Sequence, residues 1–175
     1  MASIGHAIVG AWAARVAPLS GARGRDTLLL GSLALLPDLD VIAFALRVPY
    51  AAPFGHRGAS HSLFAALLVG LAAALVARGL GARAKRVGLV TVLVVASHGL
   101  LDALTDGGLG TALLWPFSEE RFFAPWRPLP VAPIGSRFWS ERGLRVAATE
   151  LAWFLPLLVW TGWPRKRSAS LPSSS

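Results

Sequence analysis

Apolar residues gather in stretches of helical length along this chain, and short connections containing Gly, Pro and Arg separate the stretches. A stretch of about 20 apolar residues is long enough to cross a bilayer, because each helical residue adds about 1.5 Å. The first stretch is short for a span, whereas the second is long enough. The pattern predicts five helical segments: residues 4–18, 27–48, 61–76, 87–101 and 144–163.

Composition favours a bilayer over a soluble core as the place where these segments are buried. The chain is 54% hydrophobic and 15% charged, against roughly 25% charged residues in a typical soluble domain, and its mean hydropathy is +0.57. We therefore expect an all-α fold, a polytopic helical membrane protein of four or five helices formed by residues 1–164. Residues 165–175 form a basic, Ser-rich tail that we expect to be disordered.

The placement of the cations predicts the orientation in the membrane. The net charge is +8, but the cations lie between apolar segments and not in a stripe interleaved with aromatic residues, so nucleic acid is not an expected partner. Connections 20–26 and 78–86 and the C-terminal tail hold two, four and three Lys or Arg residues, nine of the seventeen in the chain. With these on the cytoplasmic side, segments two to five span and alternate, and connections 49–60 and 107–145 lie outside.

A histidine and an aspartate stand four residues apart at the end of the fourth segment. On a helix, His98 and Asp102 share one face with their Cβ atoms roughly 5–6 Å apart, which lets an imidazole nitrogen and a carboxylate oxygen bind one metal ion. Such pairs are also common on helices without a metal, and Asp102 with Thr105 then begins a turn at Gly107-Gly108. The other histidines and aspartates of the chain favour the metal site.

These other side chains lie where a buried charge needs compensation. All four histidines lie at the ends of apolar segments or in the loop between two of them, and several aspartates adjoin the same segments. A carboxylate near the bilayer centre costs roughly 2.5–3.5 kcal/mol, and a divalent cation offsets that cost. Because the chain has no cysteine, its donors favour zinc, with manganese or iron as lesser options. We expect a metal site at converging helix ends, with candidate ligands among His6, Asp38, His56, His61, His98 and Asp102.

Some residues near this set have more than one interpretation. On a regular helix Asp38 and Asp40 point to nearly opposite sides, so both serve one site only if Pro37 breaks the helix. Asp40 is then a carboxylate that orients a metal ligand, a helix cap or a catalytic base. Arg57 is either a loop cation or an anchor for an anionic substrate group. Glu150 is either a helix-face charge or a catalytic or ligand-orienting carboxylate.

The candidate residues belong to short motifs that follow one another along nearly the whole chain, to about Trp163. They are His6, Leu36-Pro37-Asp38-Leu39-Asp40, His56-Arg57-Gly58 with His61-Ser62, Ser97-His98 with Asp102, and Leu114-Trp115-Pro116-Phe117. In this combination the chain resembles the YdjM-type family of membrane-bound metal-dependent hydrolases. The resemblance implies an inner-membrane protein with hydrolase activity.

A more distant similarity is to the zinc-dependent phospholipase C and single-strand nuclease group. That group also shows His, Asp, His and then His-x-x-x-Asp along an all-helical chain. The similarity implies metal ligands at His6, Asp38, His56 or His61, His98 and Asp102. The later pair of histidines and the His-x-x-x-Glu of that group are not found in this sequence, so one or two metal ions are expected and not three.

These observations predict a membrane-bound hydrolase with its site on the non-cytoplasmic side of the inner membrane. Metal-activated water is the expected nucleophile, Arg57 the expected anchor of an anionic oxygen, and Asp40, Asp38 or Glu150 the base. The expected substrate is a phosphoester or a lipid-like small molecule, and membrane lipid is an expected partner. One alternative is a metal ion or proton transporter, with ionisable residues through the full membrane depth. The other is a non-catalytic membrane component whose His/Asp site only holds helices together.

Overall fold

The structure, a computed structural model, describes residues 3–164, so the predicted tail 165–175 lies outside the described residues. Within residues 3–164 the chain forms helices and irregular connections with two isolated β-bridges, which confirms the all-α fold class. In chain order the helices are α1 (Ser3–Val16), α2 (Arg23–Leu35), a 3₁₀ helix (Leu36–Val41), α3 (Ile42–Ala45), a 3₁₀ helix (Ala59–His61), α4 (Leu63–Gly79), α5 (Ala84–Asp102), a 3₁₀ helix (Gly135–Trp139) and α6 (Glu141–Gly162).

In the described part of the chain, three helical stretches are long and apolar enough to cross a membrane, namely the run Arg23–Ala45, α5 and α6. Helix α4 is a shorter apolar helix of 17 residues. Large apolar side chains on α4 and α5 point outward, and Leu71, Leu75 and Leu93 are each more than half exposed. Helices that turn leucine side chains away from the interior are suited to a lipid environment. The fold is therefore that of a helical membrane protein.

Small residues allow the helices to pack closely. Helices α1 and α2 form one hairpin and α4 and α5 another, and α1 also packs against α6. Gly70 of α4 and Gly88 of α5 approach so closely that a Cβ added to Gly70 would lie 2.9 Å from the Gly88 carbonyl oxygen. Because lipid gives no hydrophobic drive for helix association, such close contact supplies much of the packing energy.

Pro37 changes the path of the chain at the end of α2. The chain continues beyond Leu35 as a 3₁₀ helix, with Pro37 in its first turn, and not as a regular α-helix. Proline has no N–H, so the Ala34 carbonyl loses the donor that would stand three residues later in a 3₁₀ turn. The altered geometry lets the side chains of Asp38 and Asp40 face one site together with His56. On a regular helix the two side chains would point to nearly opposite sides.

The long connection after α5 is mostly irregular in the described residues and is tied to the end of that helix. Backbone hydrogen bonds run from Asp106 N to Leu129 O at 2.9 Å and from Ala124 N to Ala103 O at 2.8 Å. An isolated antiparallel bridge joins residues 111 and 122. These bonds make the connection a fixed layer beside the helix ends, and we refer to residues 103–139 as the outer layer.

Replacing Gly70 with Ala is expected to lower the free energy of unfolding by about 1–3 kcal/mol, the usual effect of overpacking. The new Cβ would lie 2.2 Å from Val92 Cγ2 as well as close to the Gly88 carbonyl. The midpoint of thermal unfolding in detergent, followed by circular dichroism, measures the effect. Gly79→Ala is the matched control, because a Cβ at that position meets nothing within 4 Å. Equal midpoints for the two variants would contradict the prediction.

Candidate metal centre

Four side chains of metal-ligand type meet where α5 ends. Asp38 comes from the 3₁₀ helix after α2, His61 from the 3₁₀ helix before α4, and His98 and Asp102 from the last turns of α5. One ligand atom of each residue lies within 4.8 Å of the others. His61, His98 and Asp102 are buried, whereas the Asp38 side chain retains 24% exposure. The fold thus brings distant parts of the sequence to one point, which we call the metal cluster.

A third imidazole reaches the metal cluster from α1. His6 Nε2 lies 3.5 Å from Asp102 Oδ1. The His6 ring stacks on the His98 ring with a centroid distance of 3.6 Å and an interplanar angle of 10°. Two imidazolium cations stacked this closely would repel each other, so the arrangement favours neutral rings. Neutral imidazole is the form that binds a metal ion.

The separations within the cluster fit a shared metal ion better than direct hydrogen bonds. His61 Nε2 lies 3.4 Å from Asp102 Oδ2, and His98 Nε2 lies 3.4 Å from Asp38 Oδ1. Two tetrahedral zinc ligands, each about 2.0–2.2 Å from the ion, stand about 3.3–3.6 Å apart, whereas hydrogen bonds of this type span about 2.7–3.2 Å. Within residues 3–164, the Nε2 atoms of all three imidazoles are buried without a hydrogen-bond partner. Such atoms are rare in folded proteins, and this donor set fits a divalent metal ion.

The opposite nitrogen of two rings is held by the protein. His98 Nδ1 lies 2.7 Å from the Ala34 carbonyl oxygen, which the break in α2 leaves available. The ring therefore donates at Nδ1 and presents the Nε2 lone pair to the cluster. His61 Nδ1 lies 3.1 Å from Asp40 Oδ2 in a similar arrangement. Burial disfavours the imidazolium form of His61, but the nearby carboxylates of Asp102 and Asp40 outweigh burial and raise its pKa.

Asp40 organises the loop between α3 and α4. Its carboxylate accepts hydrogen bonds from the Ser60 hydroxyl at 2.7 Å and from the Arg57 backbone N–H at 3.0 Å. Its Oδ1 lies 2.6 Å from His56 Nδ1, and its Oδ2 faces His61. Both oxygens are thus engaged, and Asp40 lies behind the cluster as an orienting carboxylate.

Arg57 is buried, with 2% exposure, and is not a solvated loop cation. Its Nε lies 3.0 Å from Asp102 Oδ2. Its Nη1 donates to Thr105 Oγ1 at 2.9 Å and to the Gly107 carbonyl at 3.1 Å. Its backbone has a φ of 61°, a left-handed conformation that is uncommon outside glycine and that clusters at functional sites. The guanidinium therefore neutralises one charge of the cluster from a strained, fixed position.

The two remaining predicted site residues lie beside this cluster. His56 forms a second group of metal-ligand type with Asp38 and Asp40, although its Nδ1 already pairs with Asp40. Glu150 of α6 is fully buried and accepts a hydrogen bond from Gly5 N at 3.2 Å. A carboxylate is favoured at a helix N-terminus, so Glu150 holds the first turn of α1, which carries the third imidazole.

A cavity of about 440 Å³ opens beside the cluster. Asp38, His56 and Arg57 contribute polar groups to its lining, and Ile134 and Phe138 of the outer layer contribute apolar side chains. Ligand sites in proteins commonly combine a few placed polar groups with an apolar wall. The cavity thus suits a molecule that carries a polar or anionic group on an apolar body.

Two residues of this region show no signal in the sequence. Arg121 donates to the carbonyls of Tyr50, Ala52 and His56 at distances of 3.0–3.1 Å, and so fastens the loop before α4. Tyr50 lines the cavity, and burial raises the pKa of its hydroxyl. Both residues lie in irregular segments without hydrophobic periodicity, where the partners of a side chain follow only from the three-dimensional fold.

The sequence is similar to that of known inner membrane proteins over most of its length. Residues 1–168 match the family model described as YdjM inner membrane protein. The inner membrane protein YbcI of Escherichia coli (strain K12) is 44% identical over 144 residues, which are 77% of this chain and 81% of that relative. No solved structure matches the chain. From these two matches, the chain belongs to the YdjM inner membrane protein family.

Proposed function

We propose that the protein is a membrane-bound hydrolase whose metal cluster holds a divalent ion, zinc by the chemistry of its donors. The observation that carries the proposal is the convergence of three buried, unpartnered imidazole Nε2 atoms on two carboxylates. The ligands of a first ion would come from among His6, Asp38, His61, His98 and Asp102, because a tetrahedral ion that keeps one position for water cannot bind all five. His56 would become a ligand only for a second ion, shared through Asp38.

In this proposal, the residues around the cluster have different roles in hydrolysis. A zinc ion in this position supplies Lewis-acid chemistry, because it acidifies water and polarises the scissile bond. Asp38 is partly exposed and lines the cavity, so its carboxylate is the favoured site to hold a proton. Arg57 borders the same cavity and would hold an anionic oxygen. Asp40 and Glu150 would act indirectly, by orienting the imidazoles and α1.

The favoured substrate is a phosphoester with an apolar body, such as a membrane lipid. A guanidinium group matches the geometry of phosphate oxygens, and the apolar cavity wall formed by Ile134 and Phe138 suits a hydrocarbon portion. A ligand pocket commonly buries about 70–90% of the ligand surface. Both the polar and the apolar lining of the cavity would therefore contact the substrate.

Specific observations favour the hydrolase over the two alternatives. A transporter needs ionisable groups through the membrane depth, yet the buried residues of α5 that precede His98 are Gly88, Val90, Thr91, Val94 and Val95. A closed structural metal site has all its coordination positions filled by protein. Here Asp38 is partly exposed beside a cavity, which leaves room for a substrate.

We also propose a multi-pass arrangement with the cluster on the non-cytoplasmic side. Arg15 donates to the Thr161 and Trp163 carbonyls at 3.0 and 2.7 Å, and Arg23 also donates to the Thr161 carbonyl. The α1–α2 connection therefore lies at the same face as the end of α6. Because α1 begins at the cluster and ends near this cationic connection, the cluster lies at the opposite face. The positive-inside rule then assigns the connection to the cytoplasm.

The purified protein is expected to contain zinc, and His98→Ala is expected to reduce the zinc content about tenfold or more, since even changes to residues that only orient the ligands cost 10–100-fold in affinity. Elemental analysis by mass spectrometry measures the content. Asp102→Asn should lose zinc as well, but it also leaves Arg57 buried without its anionic partner. Asp106→Asn is the control for Asp102→Asn, because Asp106 bonds to Val131 N in the outer layer. Unchanged zinc in His98→Ala would refute the ligand assignment.

Zinc content does not report on catalysis, so hydrolysis is measured separately, in proteoliposomes that contain zinc-loaded protein and phospholipids. We expect zinc-dependent release of a phosphate-containing product by the wild-type protein and by Asp106→Asn, but not by His98→Ala. Protein that binds zinc fully and releases no product from any phosphoester tested would contradict the hydrolase proposal and leave a structural metal site.

Asp40→Asn is expected to weaken zinc affinity by about 10–100-fold, because it removes the carboxylate that orients His61 behind the metal cluster. Competition with a chromophoric chelator measures the affinity. Ser60→Ala removes a hydrogen bond to Asp40 and a 3.0 Å contact with His61 Nδ1, but it keeps the carboxylate and is expected to have a smaller effect. If Asp40→Asn keeps full zinc affinity but loses turnover, Asp40 is the catalytic base and not an orienting residue.

A single introduced cysteine reports the side of the membrane on which it lies, because the chain has no cysteine of its own. Ser136→Cys, at an exposed position of the outer layer, is expected to react with an impermeant maleimide added outside the inner membrane. Ala82→Cys, at an exposed position between α4 and α5, is expected to react only after the membrane is opened. The opposite labelling pattern would reverse the proposed orientation.

A further inference from the structure

Tyr50 is the single tyrosine of the chain and takes no part in the metal cluster. It lines the cavity together with Arg57 and Gly108. Within residues 3–164 no acceptor receives the hydroxyl proton, so Tyr50 brings a donor to the cavity.

Gly108 keeps the space between this hydroxyl and Arg57 open. Its φ of +82° is a conformation that side-chain-bearing residues rarely adopt. A Cβ at Gly108 would lie 2.8 Å from Tyr50 Oη and 3.1 Å from Arg57 Nη1. The hydroxyl and the guanidinium therefore border the same small space, which any residue larger than glycine would fill.

Arg57 has donor capacity left for a ligand. Its Nε faces Asp102, and its Nη1 bonds to Thr105 and Gly107, but within residues 3–164 its Nη2 forms no hydrogen bond. The residue is 2% exposed and lines the cavity, so this nitrogen is available to a ligand that enters the cavity. An anionic group beside Gly108 would meet the positive charge of this guanidinium and the Tyr50 hydroxyl together.

We propose that Tyr50 and Arg57, with Gly108 between them, form a cradle for the non-bridging oxygens of a phosphate group. The cradle deepens the proposed function and rests on it, since it names the anionic group that the hydrolase would hold beside Asp38. A phosphate group offers several acceptor oxygens and negative charge, which a hydroxyl donor and a guanidinium donor contact at the same time. Tyr50 is thus a substrate-binding residue that selects phosphoesters over uncharged esters.

Inorganic phosphate and a short-chain phosphatidic acid are the two probes, because free phosphate and a lipid headgroup share this chemistry. Isothermal titration in nanodiscs measures their affinities for the full chain, before and after treatment with a chelator. Tyr50→Phe removes one hydrogen bond to a charged group and is expected to weaken binding of both probes about tenfold or more. Stronger binding of phosphatidic acid than of phosphate would identify the lipid as the source of the phosphate group.

Gly108→Ala is expected to weaken binding at least as much, because the new methyl group occupies the cradle. Gly81→Ala is its matched control, since Gly81 has a φ of +70° but nothing within 4 Å of an added Cβ. It carries the same backbone strain and is expected to bind both probes like the wild-type protein. Thermal unfolding midpoints and zinc contents are measured for all three variants, so that a folding defect is distinguished from a lost contact.

Two results would overturn the cradle. One is a Tyr50→Phe variant that binds both probes like the wild-type protein, and the other is a wild-type protein that binds neither probe at millimolar concentration. Failure of the metal proposal has a different signature, in which the wild-type protein contains no zinc and the chelator changes nothing. The loss of affinity in Tyr50→Phe can still be measured in that case, so the two proposals are tested independently.

Discussion

The buried carboxylate of Asp102 is the group on which the arrangement of the whole site depends. A charge with 1% exposure inside an apolar bundle is tolerated only when opposite charge and hydrogen-bond donors surround it. The Arg57 Nε lies 3.0 Å from one oxygen, and imidazoles from α1, the loop before α4 and α5 approach the two oxygens at 3.4–4.0 Å. One carboxylate thus fixes the relative positions of α1, α5 and the loop. Arg57 carries a single positive charge, which offsets the charge of Asp102 but not that of the neighbouring Asp38. A bound cation would offset the charge of Asp38.

The helices and the residues of the candidate metal site could be predicted from the sequence because the membrane leaves few alternatives. Apolar runs must be helical where lipid cannot satisfy the backbone, and the predicted fourth segment, 87–101, corresponds to α5 at Ala84–Asp102. Ionisable residues at the ends of such runs are costly unless they have a function. This criterion identified His6, His61 and His98 as candidates from the sequence. Pro37 in the second run likewise predicted the break in the helix that lets Asp38 and Asp40 face one site.

The parts that could not be predicted belong to irregular backbone. The sequence left open whether Arg57 is a loop cation or an anion anchor, and its burial against Asp102 follows from a left-handed turn that no local pattern specifies. Tyr50 and Arg121 meet only because the outer layer folds back on the loop before α4. In such segments the identity of a residue says little about its partner, whereas in the helices the period of 3.6 residues already assigns faces.

The hydrogen bond between His98 and the Ala34 carbonyl has a mechanical consequence. It joins an imidazole on one stretch that is long and apolar enough to cross a membrane to the backbone of another such stretch at 2.7 Å, so axial sliding of one helix against the other would displace the ring. Helices respond to changes in hydrocarbon thickness by tilting or shifting. Through this bond, a change in the thickness of a surrounding bilayer would alter the orientation of His98 Nε2, a candidate ligand atom.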